Sequence, residues 1–368
     1  MRRTAICLAA SSMALSLSAC GALGVSSSSA DASPTKGDDI TVGVLMPETT
    51  NTRYEKFDYP IIKAKVAELT EKKGRTVYAN GEADAAKQAS QMQKMIDDKV
   101  DVILLDAVDS HAIAGTVKKA KDAGIPVIAY DRLAEGPIDA YVSFDNELVG
   151  EVQGRTLVEA LGSDIDTSDK IVMLNGSPSD PNAGQFKAGA LSELNGKVTL
   201  AETYDVDGWK PQTAKKDMAQ AIKSIGASNI AAVYSANDAM AAAAIEAMEE
   251  AGMTKIPPIT GQDAELEAVQ RILTGDQYMS VYKSYPLEAE AAAEMAVAKV
   301  QGKDILFESL TQDSVDSPTT KDIPAQLVSV SALTKSNIKS TVVADGIFKV
   351  SDICTAKFAT ACADAKLK

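Results

Sequence analysis

Ile125–Glu147, IPVIAYDRLAEGPIDAYVSFDNE, is the stretch that decides the fold of this chain. Within it Ile125–Tyr130 is a short apolar run, opened by Gly124 and Pro126, of the kind that fills a parallel sheet buried on both faces. The run stops on two charges, Asp131 and Arg132. In an open α/β sheet, ligands sit just outside the carboxyl ends of the strands. An acid–base pair at such an end is placed to grip a polar small molecule; a surface ion pair capping the strand is the alternative. A second short strand, Ala140–Ser143, follows, and Phe144-Asp145-Asn146-Glu147 opens a new helix, with Asp145 supplying hinge or helix-start chemistry. There the chain leaves one domain for another.

Upstream, apolar runs at Ile40–Leu45, Val77–Ala79 and Val102–Leu105 alternate with helical patterns at Ile61–Lys73, Asp84–Asp98 and Ser110–Asp122. This βαβαβα rhythm implies a parallel sheet with right-handed crossovers. Downstream the rhythm restarts. Strands are expected at Ile171–Leu174, Val198–Thr203, Ala231–Tyr234, Pro258–Thr260 and Met279–Val281. Helices are expected at Glu147–Leu161, Ala183–Leu194, Gln212–Ile225, Ala239–Ala251 and Glu265–Leu273, with an Ala-rich helix over Leu287–Val300. A pattern run twice reads as two similar α/β lobes, and 368 residues exceed the size at which one core stops growing.

The net charge of −14 excludes the basic face that nucleic acid requires. A single histidine, His111, removes most His-based catalysis and His-rich metal sites. No G-x-x-x-x-G-K-[ST], G-x-S-x-G, C-x-x-C or H-E-x-x-H pattern occurs, so no cofactor and no metal are expected.

The N-terminus reads as an export signal: Arg2-Arg3 precede an apolar run, Ile6 to Leu17, too short to span a bilayer. It ends in Leu17-Ser18-Ala19-Cys20, which resembles the lipobox of bacterial lipoproteins. That likeness implies cleavage before Cys20 and a lipid anchor on its thiol. Residues 21–38, rich in Ser and Ala, read as a flexible tether. Cys7 leaves with the signal. For Cys354 and Cys362 in an exported chain, a disulfide closing a small loop is expected, and two free buried thiols are the alternative.

The expected strand ends carry Arg53-Tyr54, Asp131-Arg132, Asp180 with Asn182, Trp209, Asn237-Asp238, Asp263 and Lys283. Planar Asp, Asn and Arg groups can each engage two adjacent hydroxyls of a sugar, and charge-assisted hydrogen bonds are the stronger ones. Tyr54 and Trp209 offer flat apolar plates to the C–H faces of a ring. The one Trp lies in a Gly- and Asp-rich turn, away from any apolar helical face; a core position is its bland alternative. Asp238 is expected to be an N-cap. Three cations, Arg53, Arg132 and Lys283, with at least two carboxylates, Asp180 and Asp263, are expected to make a near-neutral site once a polyol fills it.

AYDRL, YVSFDNELVGEVQG, NGSPSDPNAGQF, DVDGWKPQ, SANDAM, ITGQDAE and SVYKS together resemble bacterial periplasmic sugar-binding proteins of ABC transporters, of the xylose-binding type. The resemblance runs from Ile40 to Phe348 in order. It implies a type I periplasmic-binding-protein fold: two doubly wound, Rossmann-like lobes with parallel sheets, joined by a three-stranded hinge. The lobes would comprise 39–144 with 284–321, and 145–283 with 322–368, the chain recrossing near Lys283 and again near Asp322–Pro324. The resemblance implies that Arg53, Asp131, Arg132, Asp180, Asn182, Asn237, Asp263 and Lys283 bind hydroxyls, while Tyr54, Phe186 and Trp209 stack on the ring. One departure is Tyr54, where the xylose-type pattern has Trp.

The expectation is therefore an extracytoplasmic, lipid-anchored, monomeric receptor that captures a monosaccharide, xylose first, and delivers it to the membrane permease of an ABC importer. A receptor for glucose or several aldoses, or a ligand adaptor for a membrane sensor, is the alternative within the fold. A glycosidase built on Asp180 and Asp263 is disfavoured by the cations beside them, which keep carboxylates ionised. A sugar-responsive repressor would need a helix-turn-helix where this chain has its signal and tether.

Overall fold

A computed structural model describes residues 35–367. Cys7, Cys20 and most of the tether lie outside the described residues. The tether's last residues are fastened down: the Lys36 amide donates to the Val300 carbonyl, its ammonium pairs with Asp101, and Asp38 pairs with Lys73 at 2.9 Å.

The first lobe is built on strands β1 (Thr41–Met46), β2 (Arg75–Asn80), β3 (Val102–Leu105), β4 (Val127–Tyr130) and β5 (Ala140–Phe144). Helices α1 (Tyr59–Leu69), α2 (Ala85–Asp97) and α3 (Ala114–Asp122) connect them. In β3 and β4 every residue is apolar and buried, because alternate side chains feed opposite cores. Val102, Leu104, Ile128 and Tyr130 share one core with the Ala-rich helix over Tyr285–Val300; Ile103, Leu105, Val127 and Ala129 share the other with side chains of α2 and α3.

The second lobe holds α4 (Asn146–Leu161), β6 (Lys170–Asn175), α5 (Pro181–Leu194), β7 (Thr199–Asp205), α6 (Pro211–Ile225), β8 (Ile230–Ser235), α7 (Asp238–Glu250) and α8 (Leu266–Thr274). Strand β9 (Ser280–Lys283) leads back to α9 (Tyr285–Val300), followed by β10 (Asp313–Val315), β11 (Ile323–Val328) and β12 (Val330–Leu333). The expected strand at Pro258–Thr260 is reduced to one parallel bridge, Ile259 to Val233, in line with two prolines at its start.

Two sheets result. The larger has the order β10-β11-β5-β4-β3-β1-β2, parallel except for β10. The smaller, β7-β6-β8, is parallel and continues through single bridges at Ile259 and at Gln262–Val281 towards β9, which pairs antiparallel with β12. The last crossing falls later than Asp322–Pro324. Strand β11 stays in the first lobe's sheet beside β5 through Val328, and only at Val330 does the chain join β9. The sequence offers no break at Ser329 because both runs are strands on either side of it.

In the second lobe α4 and α5 meet backbone to backbone. A Cβ on Gly150 would strike the Phe186 carbonyl, and one on Gly189 would strike the Glu147 carbonyl, so only glycine permits this approach. The C-terminal segment packs against α8 and β9, with Cys354 and Cys362 joined at a Cα separation of 5.9 Å and the Tyr282 hydroxyl donating to Asp345 at 2.7 Å.

Candidate functional site

The carboxyl ends of both sheets face one cleft, and its walls carry all eleven side chains expected from sequence: Arg53, Tyr54, Asp131, Arg132, Asp180, Asn182, Phe186, Trp209, Asn237, Asp263 and Lys283. The empty space of the cleft, counting its opening to solvent, is about 470 Å³. Glu48, Thr50, Asn51, Ala239 and Gln262 also line it. Sequence reading passed over these; Glu48 and Asn51 sit in the loop at the end of β1, and Gln262 precedes Asp263, so position at a strand end was the available signal.

The first lobe holds its groups through a buried charge network. Arg53, 2 % exposed, lies at the start of one π-helical turn (Tyr54–Asp58). Its Nε meets Asp58 Oδ2 at 2.8 Å, one terminal nitrogen meets Asp131 Oδ2 at 2.7 Å, and the other reaches Glu288 of α9. The guanidinium lies 4.6 Å from the centre of the Tyr285 ring. Tyr130 Oη donates to Asp58 at 2.7 Å. Asp131 is left-handed, φ 56°, a conformation that strains a residue with a Cβ. Three donors on its carbonyl hold it there: Tyr141 Oη and Ser143 Oγ at 2.7 Å, and Asn182 Nδ2 at 2.9 Å. Burial opposes the Asp131 charge, but Lys283, Arg53 and Arg132 outweigh it and hold its pKa below the ordinary value.

The second lobe holds its groups as helix caps. Asp180 is the N-cap of α5: Oδ1 accepts from the Asn182 amide at 2.9 Å, and Oδ2 faces outward to Trp209 Nε1 at 3.1 Å and Arg132 Nε at 3.0 Å. Asn237 caps α7 through Oδ1 and the Met240 amide at 2.9 Å. That corrects the expectation for Asp238, which is the first helical residue. Its buried carboxylate accepts from Gln277, Ser280 and the Glu265 amide. Trp209 is half-buried and also left-handed, φ 57°. Its indole lies against Gly176, where any Cβ would collide with the ring, and edge-on to Phe186 at 6.3 Å. Trp209 thus lines the cleft while packing against the edge of the second lobe's core. Asp263, φ 91°, pairs with Lys283 at 3.0 Å, and Asp145 caps α4 through the Leu148 amide.

Polar contacts join the lobes across the cleft: Arg132 to Asp180, Asn182 Nδ2 to Asp131 Oδ1 at 3.1 Å, and Asn51 Nδ2 to Asp263 Oδ2 at 2.8 Å. The lobes are thus in a closed arrangement.

The charge expectation needs correction. Arg53, Arg132 and Lys283 face six buried carboxyl groups: Asp58, Asp106, Asp131, Asp180, Asp263 and Glu288. Sequence reading passed over Asp58, Asp106 and Glu288: Glu288 lies 235 residues from its Arg53 partner and Asp58 sits at a helix start, whereas Asp106, the first charge after β3, carried the strand-end signal and was missed. Burial pushes Asp106 and Glu288 well above the usual carboxylate range, with Arg132 and Arg53 respectively pulling back, and raises Asp180 against the pull of Arg132.

Residues 42–304 match the family model for the periplasmic binding protein domain. The chain belongs to the periplasmic binding protein family. A D-xylose-binding periplasmic protein of Escherichia coli is 36 % identical over 324 residues, covering 86 % of this chain and 93 % of that one. A multiple sugar-binding periplasmic receptor of Rhizobium radiobacter is 30 % identical, covering 92 % and 99 %. Among solved structures, an ABC transporter solute-binding protein of Clostridium phytofermentans with bound β-D-glucose superposes with a TM-score of 0.76 at 25 % identity, covering 85 % of this chain and 99 % of that one. Family membership makes the chain a binding protein rather than an enzyme. Among the described residues no helix is long and apolar enough to cross a membrane.

Proposed function

We propose that this chain is an extracytoplasmic receptor that captures a monosaccharide, xylose in preference, by closing two lobes over it, and presents the closed form to the permease of an ABC importer. One observation carries the reading: donors and acceptors at the strand ends of both lobes converge on a single cleft with an aromatic plate, Trp209, on its wall. Closure follows from ligand contacts that exist only when the lobes meet. The similarity to a D-xylose-binding protein of Escherichia coli and a multiple sugar-binding receptor of Rhizobium radiobacter supports xylose or several sugars as ligands. Tyr54 supports tolerance at the ring's C5 substituent, where a smaller plate leaves room for a hexose's CH2OH. The eleven cleft residues act as proposed for the resemblance, Arg53 through its network and the others towards the sugar. An acyl anchor at Cys20 keeps the monomeric receptor at the membrane, and Cys20→Ala releases it to the medium.

Titration calorimetry of the exported protein lacking residues 1–37 tests the specificity. Xylose binds best, glucose second, and arabinose and ribose poorly, because a site built to bond a hydroxyl rejects an analogue that misplaces it. Tight binding of ribose or arabinose with no heat from xylose overturns the preference; no heat from any of the four overturns the sugar-receptor reading.

A further inference from the structure

A second cavity adjoins the sugar cleft. It encloses about 680 Å³, again counting its opening, more than the cleft itself. It is lined from both lobes: Pro47, Ala85 and Val108 from the first, Ser177 and Ser179 from the second. Glu48, Arg132 and Trp209 line both spaces and form the shared wall. The Ser110 amide donates to the Ser179 carbonyl at 3.4 Å, so the lobes make a contact of their own at this chamber. It forms by the same closure that forms the cleft.

Glu48 stands between the two spaces and lines both. It is 8 % exposed, and backbone amides of Thr50 and Asn51 donate to its carboxylate. The other carboxylates lining the cleft are each paired with a cation: Asp131 with Arg53, Asp180 with Arg132, Asp263 with Lys283. Among the described residues Glu48 is in no ion pair, and beyond the two backbone amides its carboxylate oxygens have room for one further donor from a ligand. Beyond it the serine hydroxyls, 2.9 Å apart, offer hydrogen bonds, while Pro47, Ala85 and Val108 offer apolar contact. Hydroxyl partners beside apolar patches and an indole edge match the chemistry of another pyranose ring.

Resting on the sugar-receptor reading, we infer that the chamber beyond Glu48 and Trp209 is a second subsite, which takes a sugar ring glycosidically joined to the one in the cleft. The ligand class is then a short glycoside, a disaccharide of the preferred sugar, alongside the free monosaccharide.

Calorimetry on the full chain in detergent decides this with xylose, methyl xyloside and β-1,4-linked xylobiose. The disaccharide binds with a Kd within about tenfold of xylose. Ala85→Trp fills the chamber from the α2 side without touching the cleft; it weakens xylobiose by at least about tenfold and leaves xylose within about threefold. Ala85→Phe serves if the larger variant lowers the melting temperature. Xylose binding with no xylobiose binding overturns the subsite while leaving the receptor reading intact. Xylobiose binding that neither variant weakens also overturns it. No binding of xylose itself overturns the xylose preference, and the subsite as stated with it; the receptor reading falls only if glucose, arabinose and ribose are also silent.

Discussion

The two lobes hold the same kind of ligand group by different means. In the first, Arg53, Asp131 and their neighbours are fixed by ion pairs buried among Asp58, Glu288 and the rings of Tyr130 and Tyr285. In the second, Asp180 and Asn237 are fixed by capping the helices that begin beneath them. A buried ion-pair network is rigid and intolerant, since removing one partner strands the others in a low dielectric. A cap is a local arrangement whose loss is confined to one turn of helix. Damage to the first lobe's site should therefore appear as lost stability, and damage to the second lobe's site as lost binding.

The largest effect is expected at Arg53. Arg53→Met leaves three buried carboxylates without their cation and should destabilise the protein by about 3–5 kcal/mol. Urea denaturation of the sugar-free protein measures it, and wild-type stability would erase the distinction between the lobes. Trp209→Ala comes next, in binding alone: about 1–3 kcal/mol of sugar affinity with an unchanged melting temperature. A mutant that binds normally, or one that does not fold, contradicts its place as a plate.

The third expectation concerns Asp238, whose carboxyl in the second lobe lacks the buried cation that Asp131 enjoys. Burial pushes it up to about 7, with Arg271 and Gln277 opposing. Its proton is held in the folded state at pH values where the unfolded chain has released it. The stability this contributes is present below the unfolded value near 4 and drains away as pH rises through about 7, at roughly 1.4 kcal/mol for each pH unit at most. Stability curves of wild type and Asp238→Asn between pH 4 and 8 should diverge in slope by up to one proton; parallel curves would show that the three hydrogen bonds keep it ionised throughout. The smallest effect is at Asn237. Replacing it by Ala removes a cap worth about 1 kcal/mol, whereas Ser restores the cap and shortens the reach into the cleft. Asn237→Ser should then match wild type in stability and fall below it in sugar affinity.

The strand ends were legible because a buried parallel strand announces itself as an apolar run and its first charge marks the ligand face. Asp131, Arg132 and Lys283 stand out this way. Caps were half legible: the Asn237-Asp238 pair pointed to a helix start, but only backbone geometry decides which of two adjacent polar residues precedes the first turn. The ion-pair network was not legible at all. Glu288 opens an Ala-rich helix and reads as a solvated charge, and nothing local says that it faces Arg53 across 235 residues. The crossing after Val328 was misplaced for a related reason, since a strand's sequence records its burial and not the sheet it joins.

The glycine contact between α4 and α5 has a mechanical consequence. Helix α4 begins at Asp145, directly after the first crossing, and α5 carries Asn182 and Phe186 into the cleft. With Gly150 and Gly189 at their closest approach, backbone meets backbone and no side chain separates the two helices at that point. They work as one lever: a rotation at the hinge arrives at the sugar's face undiminished, and a force on the sugar returns to the hinge by the same arm.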